Sequence, residues 1–229
     1  LPVRLIIANK NYSSWSLRPW ALLRELAIPF DESIVPFEGR SNWTRFREFS
    51  PSGQVPCLVD GDVVIWESLA IAEYLAERDP RVWPADPVAR AWARCAAAEM
   101  HAGFSALRQG CPMSVGVRIR LAATPRAVAR DLGRLTELWL DGLGRFGGPW
   151  LAGAQFGAAD AFFAPVAFRI QTYGLSLDAA AQAYASRLLQ ARSLQQWQRE
   201  ALAETWRDPE HDDMVPGGTL VEDLRAPPR

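Results

Sequence analysis

The chain has 229 residues, 49% of them hydrophobic, enough to bury a substantial core in one large domain or two small ones. Its formal net charge is −1, with 25 basic and 26 acidic residues interspersed, which argues against a nucleic-acid partner or an acidic membrane surface. No apolar run is long enough to cross a bilayer. Three cysteines and two histidines, in no metal-ligand spacing, predict no metal site. Cys57 and Cys95 sit in apolar contexts and read as small buried hydrophobes. The N-terminal residues run directly into a strand pattern without a signal-peptide layout, so the expected compartment is reducing and cytoplasmic.

Val3 to Ala8 reads as a strand and Leu17 to Leu26 as a helix. Between them lies Tyr12-Ser13-Ser14-Trp15-Ser16, a helix start rich in hydroxyls, with Pro19 expected in the first turn. Free amides, a partial positive charge and serine hydroxyls converge there and suit an anion, although capping alone would also account for the serines. Asp31 to Pro36 is a short strand, followed by an arginine-rich polar stretch. Gly53-Gln54-Val55-Pro56 leads into a third strand, Asp60-Gly61-Asp62 is a hairpin turn, and Val63 to Trp66 pairs back. Pro56 removes a ladder donor, so it belongs at a strand start or bulge, in either a trans or a cis bond. Glu67 to Glu77 is helical, completing a βαβ–ββα unit.

A proline-rich linker, residues 80–86, separates that unit (1–79) from a region (87–229) in which every periodic segment is helical. Long helices are predicted through Val88–Phe104 and Val128–Phe146, and Gly147-Gly148-Pro149 stops the second. Residues 108–124 break the helical pattern. Further helices are expected over Ala161–Ile170, Ala179–Ala191 and Leu194–Trp206, with a loosely ordered tail that contains Gly217-Gly218 and Pro227-Pro228.

The small βαβ–ββα unit, the Val-Pro before its third strand and the helical second region together resemble the cytosolic glutathione transferases. The fold this implies is a thioredoxin-like α/β domain followed by an all-α helical domain. The matching stretches are Gly53-Gln54-Val55-Pro56, Glu67-Ser68-Leu69-Ala70-Ile71-Ala72-Glu73-Tyr74-Leu75, and Gly153 through Asp160. Ser13-Ser14-Trp15-Ser16-Leu17-Arg18 is most similar to the zeta class, with Trp15 where that class has cysteine. The resemblance implies a cis Val55–Pro56 bond and glutathione as co-substrate. Gln54, Val55 and Pro56 would hold its cysteinyl part, and Glu67 and Ser68 its γ-glutamyl end. Ser13 is the first candidate to activate the thiol, Ser14 the second and Tyr12 the third. An electrophile pocket would lie between the domains, near His101, Phe104 and the 108–124 segment, where Arg118 or Arg120 could hold a carboxylate. Asp160, three residues after Gly157, would cap a buried helix. The first unit is also similar to thioredoxin, with Ser13 and Ser16 at the spacing of its two cysteines, so dithiol chemistry is excluded there. The resulting expectation is a homodimeric glutathione transferase acting on a small electrophile. A zeta-like isomerase, a dehalogenase and a non-catalytic binding protein are the alternatives.

Overall fold

The computed structural model describes residues 3–39, 41–213 and 218–228. β1 (Val3–Ile7) leads into α1 (Ser14–Glu25), then β2 (Phe30–Ile34) and a short α2 (Trp43–Phe46). β3 (Cys57–Asp60), β4 (Val63–Trp66) and α3 (Ser68–Ala76) complete a four-stranded sheet ordered β2-β1-β3-β4. β1 runs parallel to β2 and antiparallel to β3, and β3 pairs with β4 across the two-residue turn Gly61-Asp62. This is the thioredoxin-like arrangement. Leu5, Ile6 and Ile7 are all buried, as a central strand covered on both faces requires.

Helices follow: α4 (Pro87–Ala102), α5 (Ser105–Gly110), α6 (Arg126–Phe146), α7 (Ala158–Tyr173), α8 (Ala179–Gln190), α9 (Arg192–Ala203) and α10 (Pro209–Asp213). Asp86 caps α4 through its bond from the Ala89 amide, 2.8 Å, with Pro87 at the first helical position. α7 is apolar nearly all round, which only a central position permits, and it packs against α1, α4 and α8. Its entrance is held by Asp160. One carboxylate oxygen accepts the Gly157 amide at 3.0 Å; the other accepts the Leu151 amide at 3.0 Å and the Tyr184 hydroxyl at 2.7 Å. The expected cap is present, and it also ties α7 to α8. Gly157 has no side chain, so only the acidic half of a capping box forms.

Four expectations need correction. The second region is not wholly helical: β5 (Val117–Leu121) pairs antiparallel with β6 (Gly218–Asp223), so segment 108–124 and the tail form a ribbon. Alternation in Val117-Arg118-Ile119-Arg120 carried that signal, with Val117 and Ile119 buried and Arg120 exposed. α1 starts three residues earlier than expected, which places Pro19 inside the helix rather than in its first turn. Cys95 is exposed on α4, because its neighbours Ala93, Ala96, Ala97 and Met100 fill the inward face. Finally, α9 ends at Ala203, and Trp206 lies beyond it, half-exposed.

Candidate active site

Loop 8–13, between β1 and α1, is fixed from the helical side. The Glu204 carboxylate just past α9 accepts the Lys10 amide at 2.6 Å, the Asn11 amide at 3.2 Å and the Asn11 side chain at 3.2 Å. Trp197 donates to the Lys10 carbonyl at 2.8 Å. Lys10 is itself buried and paired with Glu32 and Glu200. Burial pushes the Glu204 carboxyl up, and its three hydrogen bonds pull it back. A loop held by so many buried contacts presents its next residues, Tyr12 to Ser14, in a set orientation.

Those residues open into a cleft of about 810 Å³. Tyr12, Ser13, Ser14, Gln54, Val55, Pro56, Glu67 and His101 all line it, so most of the site expected from the sequence is brought to one place. Ser13 occupies the N-cap of α1, but its hydroxyl makes no capping bond; it lies 2.7 Å from the Ser16 hydroxyl, whose oxygen accepts the Ala8 amide at 3.3 Å. Ser14 is half-buried. Tyr12 is engaged elsewhere: its hydroxyl donates to Asp212 at 2.9 Å and accepts from Arg225 at 3.0 Å. Burial and the Asp212 carboxylate raise the Tyr12 pKa well above its usual value, so it stays a neutral phenol.

The Val55–Pro56 bond is cis. Pairing along β3 begins at Cys57, leaving residues 54–55 as an unpaired extension of the strand line. Gly53 sits at φ +64°, and a Cβ there would come within 2.4 Å of the Trp43 ring, so both conformation and space call for glycine. Glu67, at φ +72°, makes the sharp passage from β4 into α3 without a glycine. Its carboxylate is 3.8 Å from His101 Nε2. Ser68 is fully buried, and its hydroxyl has no partner among the described residues.

Three candidates lie off the cleft wall: Ser68, buried at the start of α3, Phe104 and Arg118. Phe104 is buried in the core at the start of α5. The Arg118 guanidinium donates to the carbonyls of Val115 and Val117, at 3.1 and 2.8 Å, within the ribbon. In their place Arg108 and Arg169 line the cleft, together with Phe37 and His211, which stack with ring centroids 4.6 Å apart. Arg169 carried a legible signal, being the one charged residue in the apolar stretch Ala161–Ile170. His211 carried none, because only the return of the C-terminal segment brings it there. Burial, with Arg18 nearby, lowers the His101 pKa and favours its neutral form. Among the described residues no group of three or more His, Cys, Asp or Glu is placed to hold a metal.

The family model described as "Glutathione S-transferase, N-terminal domain" matches residues 12–78. The chain is 28% identical over 180 residues to the glutathione S-transferase GstB of Escherichia coli, covering 73% of this chain and 84% of that one. A dichloromethane dehalogenase from Methylorubrum extorquens is 43% identical over 58 residues, 24% of this chain. That match spans only 19% of the dehalogenase's length. A glutathione transferase homolog from Burkholderia gl BGR1, solved with bound glutathione, superposes with a TM-score of 0.67 at 24% identity, over 88% of this chain and 98% of that one. At that identity the likeness speaks for the fold. Residues 12–78 thus match the N-terminal domain of the glutathione S-transferases, and the chain as a whole is similar in sequence and fold to proteins of that family.

Proposed function

We propose that this chain is a glutathione transferase that converts the bound thiol to thiolate for attack on a small electrophile. The observation that carries the reading is the convergence of Ser13, at the N-terminus of α1, with the unpaired strand extension at Val55 and the Glu67 carboxylate in one cleft. Glutathione's cysteinyl backbone would extend the sheet beside Val55, with Gln54 and Pro56 flanking it. Its γ-glutamyl ammonium would meet Glu67, and its carboxylate the amides at the start of α3 with the Ser68 hydroxyl. A thiol is a poor nucleophile until ionised, and a hydroxyl donating to sulfur at a helix N-terminus favours the thiolate.

Ser13 is the preferred donor, with Ser14 the second choice. A hydroxyl both donates and accepts, so the Ser13–Ser16 bond can reverse. Ser16 would then donate to Ser13, and the Ser13 proton would be free to meet sulfur. Such a chain polarises the second bond through the first. Tyr12 is the third choice, because its hydroxyl is committed to Asp212 and Arg225. Domains with a boundary in residues 80–86, a homodimer packed through α3 and α4, and a cytoplasmic location complete the proposal.

The direct test is glutathione consumption against aryl halides, epoxides, peroxides and maleyl-type acids. Conjugation consumes glutathione, whereas a zeta-like isomerisation regenerates it, so product analysis separates the two. Absence of glutathione binding by calorimetry would leave a non-catalytic member of the fold.

A further inference from the structure

Three arginines at the cleft have no role in the reading above. Arg108 on α5 and Arg169 on α7 line it. Arg18 on α1 packs against Trp15, itself on the wall, with its guanidinium carbon 4.1 Å from the ring centroid. Arg108 approaches the same ring to 4.5 Å, so one indole carries two cations. Arg18 is 1% exposed and Arg169 4%, and neither, nor Arg108, forms an ion pair among the described residues. The Nε and Nη1 of Arg18 have no hydrogen-bond partner among the described residues. Arg169 donates Nε to the Cys111 carbonyl at 2.9 Å, and Arg108 donates to the carbonyls of His101 and Gly103 at 3.3 and 3.4 Å.

Buried cations without a counter-charge are costly, and like charges within reach of one another add to the cost. The fields act in that direction here. After burial itself, Arg108 and Arg169 each push the Arg18 pKa down, and Arg108 does the same to Arg169, which falls to about 10. Glu67 opposes this at Arg18 but is half-exposed and 3.8 Å from His101. His101, held toward its neutral form, supplies no compensation. A guanidinium matches a carboxylate in a planar, bidentate geometry that no carboxylate among the described residues occupies at Arg169.

We propose that the helical wall of the cleft is an organic-anion subsite, in which Arg108 and Arg169 bind a carboxylate of the electrophile while Arg18 acts behind Trp15 as a fixed positive charge. The site thereby selects carboxylate-bearing electrophiles over neutral ones. This rests on the glutathione-dependent reading for the reaction, although not for binding of the anion. With an aryl chloride the step balances simply. The thiolate sulfur forms a bond to the ring carbon, the carbon–chlorine bond breaks, and chloride leaves with the electron pair.

The test has a binding arm and a kinetic arm. In the first, 3,5-dinitrobenzoate and 1,3-dinitrobenzene are titrated calorimetrically into the parent without glutathione. The expected result is at least tenfold tighter binding of the carboxylate, lost in Arg169→Gln and in Arg108→Gln and partly restored in Arg169→Lys. Equal affinity of the parent for both compounds overturns the proposal, whether or not the variants fold. In the second arm, kcat/KM for 4-chloro-3,5-dinitrobenzoate is divided by that for 1-chloro-2,4-dinitrobenzene in each protein. The ratio should fall about tenfold in either glutamine variant. A glutathione Kd that rises in these variants while the ratio stays fixed would assign the arginines to glutathione and overturn the proposal. Carboxylate binding without any glutathione consumption would sustain the anion site and defeat the transferase reading instead.

Discussion

The Ser13 hydroxyl lies 2.7 Å from the Ser16 hydroxyl, across the three-residue spacing that opens α1. Ser13 faces the cleft, whereas Ser16 is fully buried and receives the Ala8 amide at the end of β1. The pair therefore links the core of the sheet to the point where a thiol would bind. In the proposed reading it makes Ser13 part of a relay rather than an ordinary cap.

Ser16→Ala should leave the buried Ala8 amide without an acceptor. Orphaning one buried donor costs about 1–3 kcal/mol, so the midpoint of urea unfolding should fall while its slope stays constant. An unchanged midpoint would mean that Ser16 is dispensable to the sheet and the relay does not extend inward.

Asp160→Ala should cost more than a lone cap. A cap loss is about 1 kcal/mol, but three donors from Leu151, Gly157 and Tyr184 would be stranded, at about 1–3 kcal/mol each before relaxation. Burial raises the Asp160 pKa to about 6, the three bonds only partly offsetting it. Its unfolded value is about 3.9. The folded state thus binds the proton more tightly, and this contribution, full below about pH 4, is lost as pH rises through about 6. Asp160→Asn should flatten the stability profile over that window. A profile identical to the parent's would show that the carboxyl is not perturbed.

Glu67→Gln keeps the shape of the side chain and removes its charge. The expected outcome is a glutathione Kd raised about tenfold by calorimetry, with a smaller change in rate at saturating glutathione. Unchanged binding would remove Glu67 from the ligand's surroundings.

Most of the fold was legible because it depends on local chemistry. The apolar run at Val3, the Gly61-Asp62 turn and the Gly157–Asp160 helix start each carry their own signal. So did the Ser13, Val55 and Glu67 positions, through their resemblance to a known family. What escaped is what distant segments supply. The ribbon pairs residues about a hundred positions apart, and His211 reaches Tyr12 only because the C-terminal segment returns there. The arginine subsite escaped for the same reason: Arg18, Arg108 and Arg169 come from three helices, and Arg118, the nearer guess by sequence, turns into backbone carbonyls.

Tyr12→Phe should leave the chemistry intact, because that hydroxyl is spent on Asp212 and Arg225. Its loss should lower stability by about 1 kcal/mol, read from chemical denaturation. A collapse of the glutathione-dependent rate with stability preserved would instead make tyrosine the activating group.

The central claim is that the Ser13 hydroxyl stabilises the glutathione thiolate. The most direct measurement is the ultraviolet absorbance of bound thiolate as a function of pH, in the parent and in Ser13→Ala. The bound thiol should titrate below the usual thiol value of about 8.5 in the parent and at least one unit higher in Ser13→Ala, with glutathione still bound. If Ser14→Ala shows that shift instead, the donor is the neighbouring hydroxyl. Identical titrations in the parent and both serine variants would contradict the account.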